Sequence, residues 1–173
     1  MRPLRNPADC QGLVVRTLDN RIYQETMAAM GFTPVVTDVR DLAEAVMSGR
    51  VDAQENPLTN SVVFELYRKH RYLSLTGHFF GVVLFLCHAE WFDALSPEDR
   101  SAVEAAARAA TAEQRRLAEA QDTDAMAVLR AEGVEVLARS DLDMAGFRAA
   151  CADIPERERA KLPPELVAAY LGA

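Results

Sequence analysis

The sequence lacks the usual marks of bond-breaking chemistry. It has no Gly-x-Ser-x-Gly elbow, no phosphate-cradling Gly-x-x-x-x-Gly-Lys run, no His-Glu-x-x-His and no Gly-x-Gly-x-x-Gly. An enzyme therefore has no nucleophile, metal set or acid/base pair to rest on. Cysteine is scarce: Cys10, Cys87 and Cys151 are widely spaced and odd in number. Without a Cys-x-x-Cys pair they suggest neither a zinc ribbon nor a disulfide framework, and read as structural or free thiols. The histidines, His70, His78 and His88, do not fall at metal-ligand spacings, so no metal or other cofactor is expected. His88 follows Cys87, but neighbours on a strand face opposite ways, which disfavours a thiol–imidazole pair. Long hydrophobic runs are missing too. The most apolar stretch, Phe79 to Cys87, is too short to span a bilayer. Met1 to Pro7 holds no signal-peptide-like apolar segment, so the chain as given is expected to be soluble. Positive charge is not in excess either. A formal net charge of −7 disfavours nucleic acid, which wants a basic face.

What is present suits a packed α/β fold. The 173 residues, half of them apolar, are enough for one domain or one large piece of a bigger protein. After a polar connector over residues 1–11, Leu13 to Thr17 reads as a strand and Ile22 to Met30 as a helix ended at Gly31. Thr33 to Thr37 reads as a second strand, Asp38 to Met47 as a helix stopped by Ser48-Gly49, and Val51 to Gln54 as a third strand. This alternation predicts a mixed, largely parallel sheet with flanking helices. Leu58 to Tyr67 reads as a helix, and Tyr72 to Thr76 and Phe79 to Leu86 as strands around Gly77-His78. Ala89 to Ala94 is a short helical segment. Ser96-Pro97-Glu98-Asp99 is a strong helix start, followed by no Pro or Gly until Gly133. That predicts one helix to Glu132 of roughly 50 Å. Val134 to Leu137 reads as a strand, Asp143 to Ala152 as a helix, and Pro155 to Ala173 as a charged, proline-interrupted helical tail.

Two constellations stand out at predicted strand ends, where such sheets bind ligands. Arg16 ends the run Gly12-Leu13-Val14-Val15-Arg16. Its planar fork matches a carboxylate with two parallel hydrogen bonds, although a surface arginine paired with a nearby acid fits the same pattern. Asn56 stands before the proline that closes the run Val51-Asp52-Ala53-Gln54-Glu55-Asn56-Pro57. Asn before Pro can simply cap a helix, and a helix start is compatible with anion binding. Glu55 would repel an anion there, and is expected to turn away. His78 sits in a loop between predicted strands and could reach a cleft. His70, within Arg68-Lys69-His70-Arg71, reads as part of a solvated basic surface.

The order of these pieces resembles a known series. Gly12-Leu13-Val14-Val15-Arg16, Met30-Gly31-Phe32-Thr33-Pro34, Asp52-Ala53-Gln54-Glu55-Asn56-Pro57, Tyr72-Leu73-Ser74-Leu75-Thr76 and Trp91-Phe92-Asp93-Ala94-Leu95-Ser96-Pro97-Glu98-Asp99 follow one another at its spacing. They are similar to the DctP-type solute receptors of tripartite ATP-independent periplasmic (TRAP) transporters, over residues 1 to about 137. The resemblance implies the second lobe of a two-lobed periplasmic receptor that closes on a small organic-acid anion and delivers it to membrane permease subunits. It implies a carboxylate clamp at Arg16 and a cleft-lining amide at Asn56, with no catalytic residue, and His78 is expected beside them as a ligand contact from its loop position. It divides the chain into a ligand-binding lobe over 1–95, a long inter-lobe helix over 96–132, and a strand with C-terminal helices over 133–173. Three departures accompany it. Most of the first lobe has no counterpart, an aromatic common before the helix preceding Val51 is replaced around Val39, and an Asn often found before the family's His is Gly77. A half receptor also exposes its inner surface, so a homodimer of the isolated half that binds no solute is a competing expectation.

Overall fold

A computed structural model describes residues 2–171. By internal contacts the chain falls into two compact units, one running to Thr76 and resuming at Leu129, the other from Gly77 to Val128. The first unit opens with a single helical turn, α1 (Pro7–Cys10), inside the stretch expected to be a plain connector. Asn6 and Asp9 build it by capping each other's backbone N–H groups. β1 (Val14–Thr17), α2 (Arg21–Ala29), β2 (Thr33–Val36), α3 (Leu42–Ser48) and β3 (Ala53–Gln54) then alternate as the sequence predicts. The strands form one all-parallel sheet in the order β2-β1-β3, so β1 is central. Asp52 fastens β3 to β1 by a reciprocal pair: its carboxylate accepts from Val14 N–H at 2.9 Å, and its own N–H donates to Val14 C=O at 2.8 Å.

Local chemistry sets the ends. The Asn20 side chain accepts from Ile22 and Tyr23 N–H and starts α2. α3 ends because Gly49 turns left-handed at φ 77°, which costs a glycine nothing. The helix expected from Asp38 begins instead as a 3₁₀ turn, Val39–Asp41, since the Asp38 carboxylate takes Arg40 N–H at 2.9 Å. Against the sheet, α3 buries Leu42, Ala45 and Val46 with Val51 and Leu66. Each large side chain so removed from water is worth about 1.5–3 kcal/mol. α4 (Leu58–Val63) stops earlier than predicted. Glu65 adopts φ 51°, and a 3₁₀ turn over Leu66–Arg68 follows, so that both Phe64 and Leu66 reach this core.

A second parallel pair, β4 (Tyr72–Ser74) with β5 (Glu135–Leu137), completes the sheets of the first unit. α7 (Met144–Ala150), α8 (Asp153–Arg159) and α9 (Pro164–Leu171) make up the tail. Arg21, Glu25, Arg157, Glu158 and Lys161 link α2 to α8 in a chain of ion pairs. Arg71 reaches the backbone just beyond the long helix, donating to Glu132 C=O at 2.5 Å and Gly133 C=O at 3.2 Å. A cation is favoured at that negative end.

The second unit holds α5 (Ala89–Asp93) and most of α6 (Pro97–Ala131). α6 is 35 residues long, as the uninterrupted sequence predicted. Ser96 caps it by accepting from Asp99 N–H at 3.1 Å. Phe79 to Leu86 departs from expectation. The stretch reads as a strand, yet no residue from Leu75 to His88 enters a strand or helix. Phe80, Val83 and Leu86 are 83%, 91% and 79% exposed. Among the described residues no helix is long and apolar enough to cross a membrane.

Candidate functional site

Arg16 lies on the central strand with only 1% of its surface exposed. Taking a guanidinium out of water is costly unless its N–H groups are used. Here Nε donates to Thr37 C=O at 2.9 Å, while Nη2 is buried and has no partner among the described residues. Burial pushes the arginine pKa down, opposed by the charges of Glu55 and Asp38. An arginine so perturbed still keeps its charge at neutral pH. The fold thus fixes one cation in a dry position and leaves one of its nitrogens unused.

Beside it stands a ladder of amides. Gln54 on β3 is the register partner of Arg16. Residues so paired project from the same face of the sheet. Gln54 Oε1 accepts from Asn56 Nδ2 at 2.6 Å, and Asn56 Oδ1 accepts from Asn60 Nδ2 at 3.0 Å. This corrects the helix-cap reading of Asn56. Pro57 takes the cap position of α4 without a side-chain cap bond, and Asn56 is committed to the ladder. Gln54 and Asn60 are residues that sequence reasoning left without a role. Their signal was the closeness of three amides around the start of α4, with Gln54 two residues before Asn56 and Asn60 four after it.

Glu55 lies close enough to Arg16 for their charges to interact. It is half-buried, and burial raises its pKa while Arg16 works to lower it. Its charge is also felt at Tyr23, whose pKa is raised first by burial and then by Glu55. His70 is a second correction. Arg68, Lys69 and Arg71 are exposed, but His70 is half-buried with Nε2 out of water. Its imidazole pKa is lowered by burial, with the Val51 carbonyl and Asp52 opposing.

His78 belongs to the other compact unit. Its ring centroid is 4.6 Å from that of Phe79, and burial takes its pKa down to about 4. It is therefore a neutral imidazole at neutral pH. Val39, where the resemblance led one to look for an aromatic ring, is 44% exposed on its 3₁₀ turn. Among the described residues no group of three His, Cys, Asp or Glu side chains could hold a metal ion.

Comparison with known proteins agrees with the order of the motifs. The model of the DctP family, bacterial extracellular solute-binding protein family 7, matches residues 1–160. The match runs past residue 137, so more of the tail fits than the resemblance alone suggested. A solute-binding protein of Verminephrobacter eiseniae is 31% identical over 153 residues, which are 88% of this chain and 45% of that protein. The 2,3-diketo-L-gulonate-binding periplasmic protein of Escherichia coli is 28% identical over 84% of this chain and 44% of its own length. The chain thus spans about half the length of these relatives. A crystal structure of a TRAP periplasmic solute-binding protein from Polaromonas, bound to D-erythronate, superposes with a TM-score of 0.85 at 28% identity, covering 98% of this chain and 55% of the other. These relatives are binding proteins rather than enzymes, and the family's mixed α/β architecture with one long helix is the one seen here. The chain belongs to the bacterial extracellular solute-binding protein family 7, the DctP family of TRAP transporter receptors.

Proposed function

We propose that this chain is the carboxylate-gripping part of a TRAP solute receptor, binding a small organic acid without altering it and serving its delivery to membrane permease subunits. The observation that carries this is the buried Arg16 with an unused Nη2 beside the Gln54–Asn56–Asn60 ladder. A solute carboxylate would supply the missing partner in a charge-assisted bond, and the Asn56 amide would meet a neighbouring oxygen. Relatives that carry diketogulonate or erythronate hold acids with several hydroxyls, so a polyhydroxy monocarboxylate is the favoured class. His78 is kept as a further candidate contact on its sequence position in a loop. As a neutral imidazole it suits a hydroxyl rather than a second carboxylate. Each charged hydrogen bond is worth about 1.5–3 kcal/mol, so Arg16→Ala should weaken acid binding by roughly a hundredfold. Arg16→Lys should restore little, since an ammonium lacks the fork. Calorimetry with D-erythronate checks both, and undiminished affinity in Arg16→Ala sinks the proposal.

A second reading has its own support in the exposed run from Phe80 to Leu86. Apolar patches of that kind commonly mark association surfaces. In this reading the chain forms a homodimer through that run and binds no solute. Light scattering should then show twice the mass of 19.1 kDa. Replacing Val83 and Phe85 by lysine should return it to a monomer, and a monomeric native chain removes this reading.

A further inference from the structure

Beside Gln54, the first amide of the ladder, lies a small, half-open space of about 20 Å³, lined by Gln54, Ser61, His70, Tyr67 and Tyr72 on its polar side. Two groups facing it are unsatisfied. Ser61 is 5% exposed and its Oγ has no partner among the described residues, and the same holds for the buried His70 Nε2. Leaving a buried polar atom unpaired costs about 1–3 kcal/mol, so two in one space call for a common partner. A space of this size admits one water, and a buried water typically makes two to four hydrogen bonds.

We infer that this space is a water site in which one ordered water joins His70 Nε2 and Ser61 Oγ to the Gln54 amide, making His70 and Ser61 positioning residues for the Gln54–Asn56–Asn60 ladder. The chemistry closes. The neutral imidazole directs its N–H toward the Val51 carbonyl, which leaves Nε2 as an acceptor for a water O–H. Ser61 Oγ and the Gln54 amide, which line the same space, offer further partners. Gln54 is then held by the water while its Oε1 holds Asn56. Protonating His70 turns Nε2 from acceptor to donor and forces the water to reverse. The groups that bear on that titration are burial and the Lys69 ammonium, which lower it, and Asp52 with the Val51 carbonyl, which raise it. Tyr67 and Tyr72 also face the space. The water site stands without any solute, and only its bearing on binding rests on the carboxylate reading.

A high-resolution crystal structure of the chain, with side-chain amide NMR across a pH titration, tests this with no solute present. One water peak should lie within hydrogen-bonding distance of both His70 Nε2 and Ser61 Oγ. The Gln54 and Asn56 amide signals should shift in step with the His70 ¹⁵N titration. Ser61→Val, which can fill the space but cannot bind water, should lower the melting temperature and uncouple those signals. Ser61→Thr, which keeps the hydroxyl, should preserve the coupling and serves if the valine variant does not fold. A dry space, a Ser61→Val protein at least as stable as the native one, or ladder signals indifferent to His70 would each overturn the inference. Loss of solute binding in Arg16→Ala with an intact water leaves this site standing, so the two proposals fail separately.

Discussion

β1 and the Phe79–Leu86 run make an instructive pair. Phe79–Leu86 is the more apolar and equally β-prone, yet β1 is buried and paired on both edges while Phe79–Leu86 joins no strand and is exposed from Phe80 onward. β1 even carries an arginine into the interior. The difference lies in hydrogen-bonding partners rather than in composition. A strand is stable only when its N–H and C=O groups meet a neighbour, and β2 and β3 arrive at β1 through short helical crossovers. An apolar run without such neighbours keeps its propensity and lacks the structure. Its side chains remain available to another surface.

Substitutions can break or sharpen this contrast. The largest expected effect is in the core under the first sheet. Leu42→Ala should cost about 2–5 kcal/mol by denaturant unfolding. Phe85→Ala, in the exposed run, should stay within about 0.5 kcal/mol for the monomer. Comparable losses at the two sites would mean that the run is packed after all.

A middle-sized effect is set by pH. His78 has a folded pKa of about 4, below the usual 6.5, because burial disfavours its charged form. Its contribution is therefore complete above pH 6.5 and is lost as pH falls through about 4. His70, also lowered, acts with the same sign. Glu55 is raised and acts in the opposite sense, adding stability as pH falls. The carboxylates of Asp38 and Glu158, held down to about 2 by their basic partners, contribute losses only below the ordinary carboxylate range. Melting temperature should therefore fall between pH 6.5 and 4, and His78→Phe should flatten that slope. An unchanged slope in the variant would place the acid sensitivity elsewhere.

The smallest effect concerns local ends rather than partners. Asn20→Ala removes the acceptor for two N–H groups at the start of α2 and should cost about 1 kcal/mol. A much larger loss would show that Asn20 supports more than its own helix.

The β1–α2–β2–α3–β3 order was legible because each helix and strand carries its own period and stop signals, as at Asn20 and Gly49. The long helix was legible from the unbroken stretch after Ser96-Pro97. Arg16 and Asn56 could be singled out by type and position, but each also fitted a plain structural role. What tells for more is Arg16's unused nitrogen and the Asn56 bonds to Gln54 and Asn60, which depend on strand register and backbone turns. His70 was misread because three of its neighbours in the basic cluster do face water. Phe79–Leu86 was misread because propensity is local and strand pairing is not.

The central claim is that Arg16 is a built carboxylate site rather than a stranded buried charge. The most direct measurement is a titration of ¹⁵N-arginine-labelled chain with D-erythronate, set against the uncharged polyol erythritol. The account predicts that the Arg16 Nε and Nη signals shift with the acid and stay still with the polyol. An Arg16 that ignores the acid, or answers both alike, would contradict it.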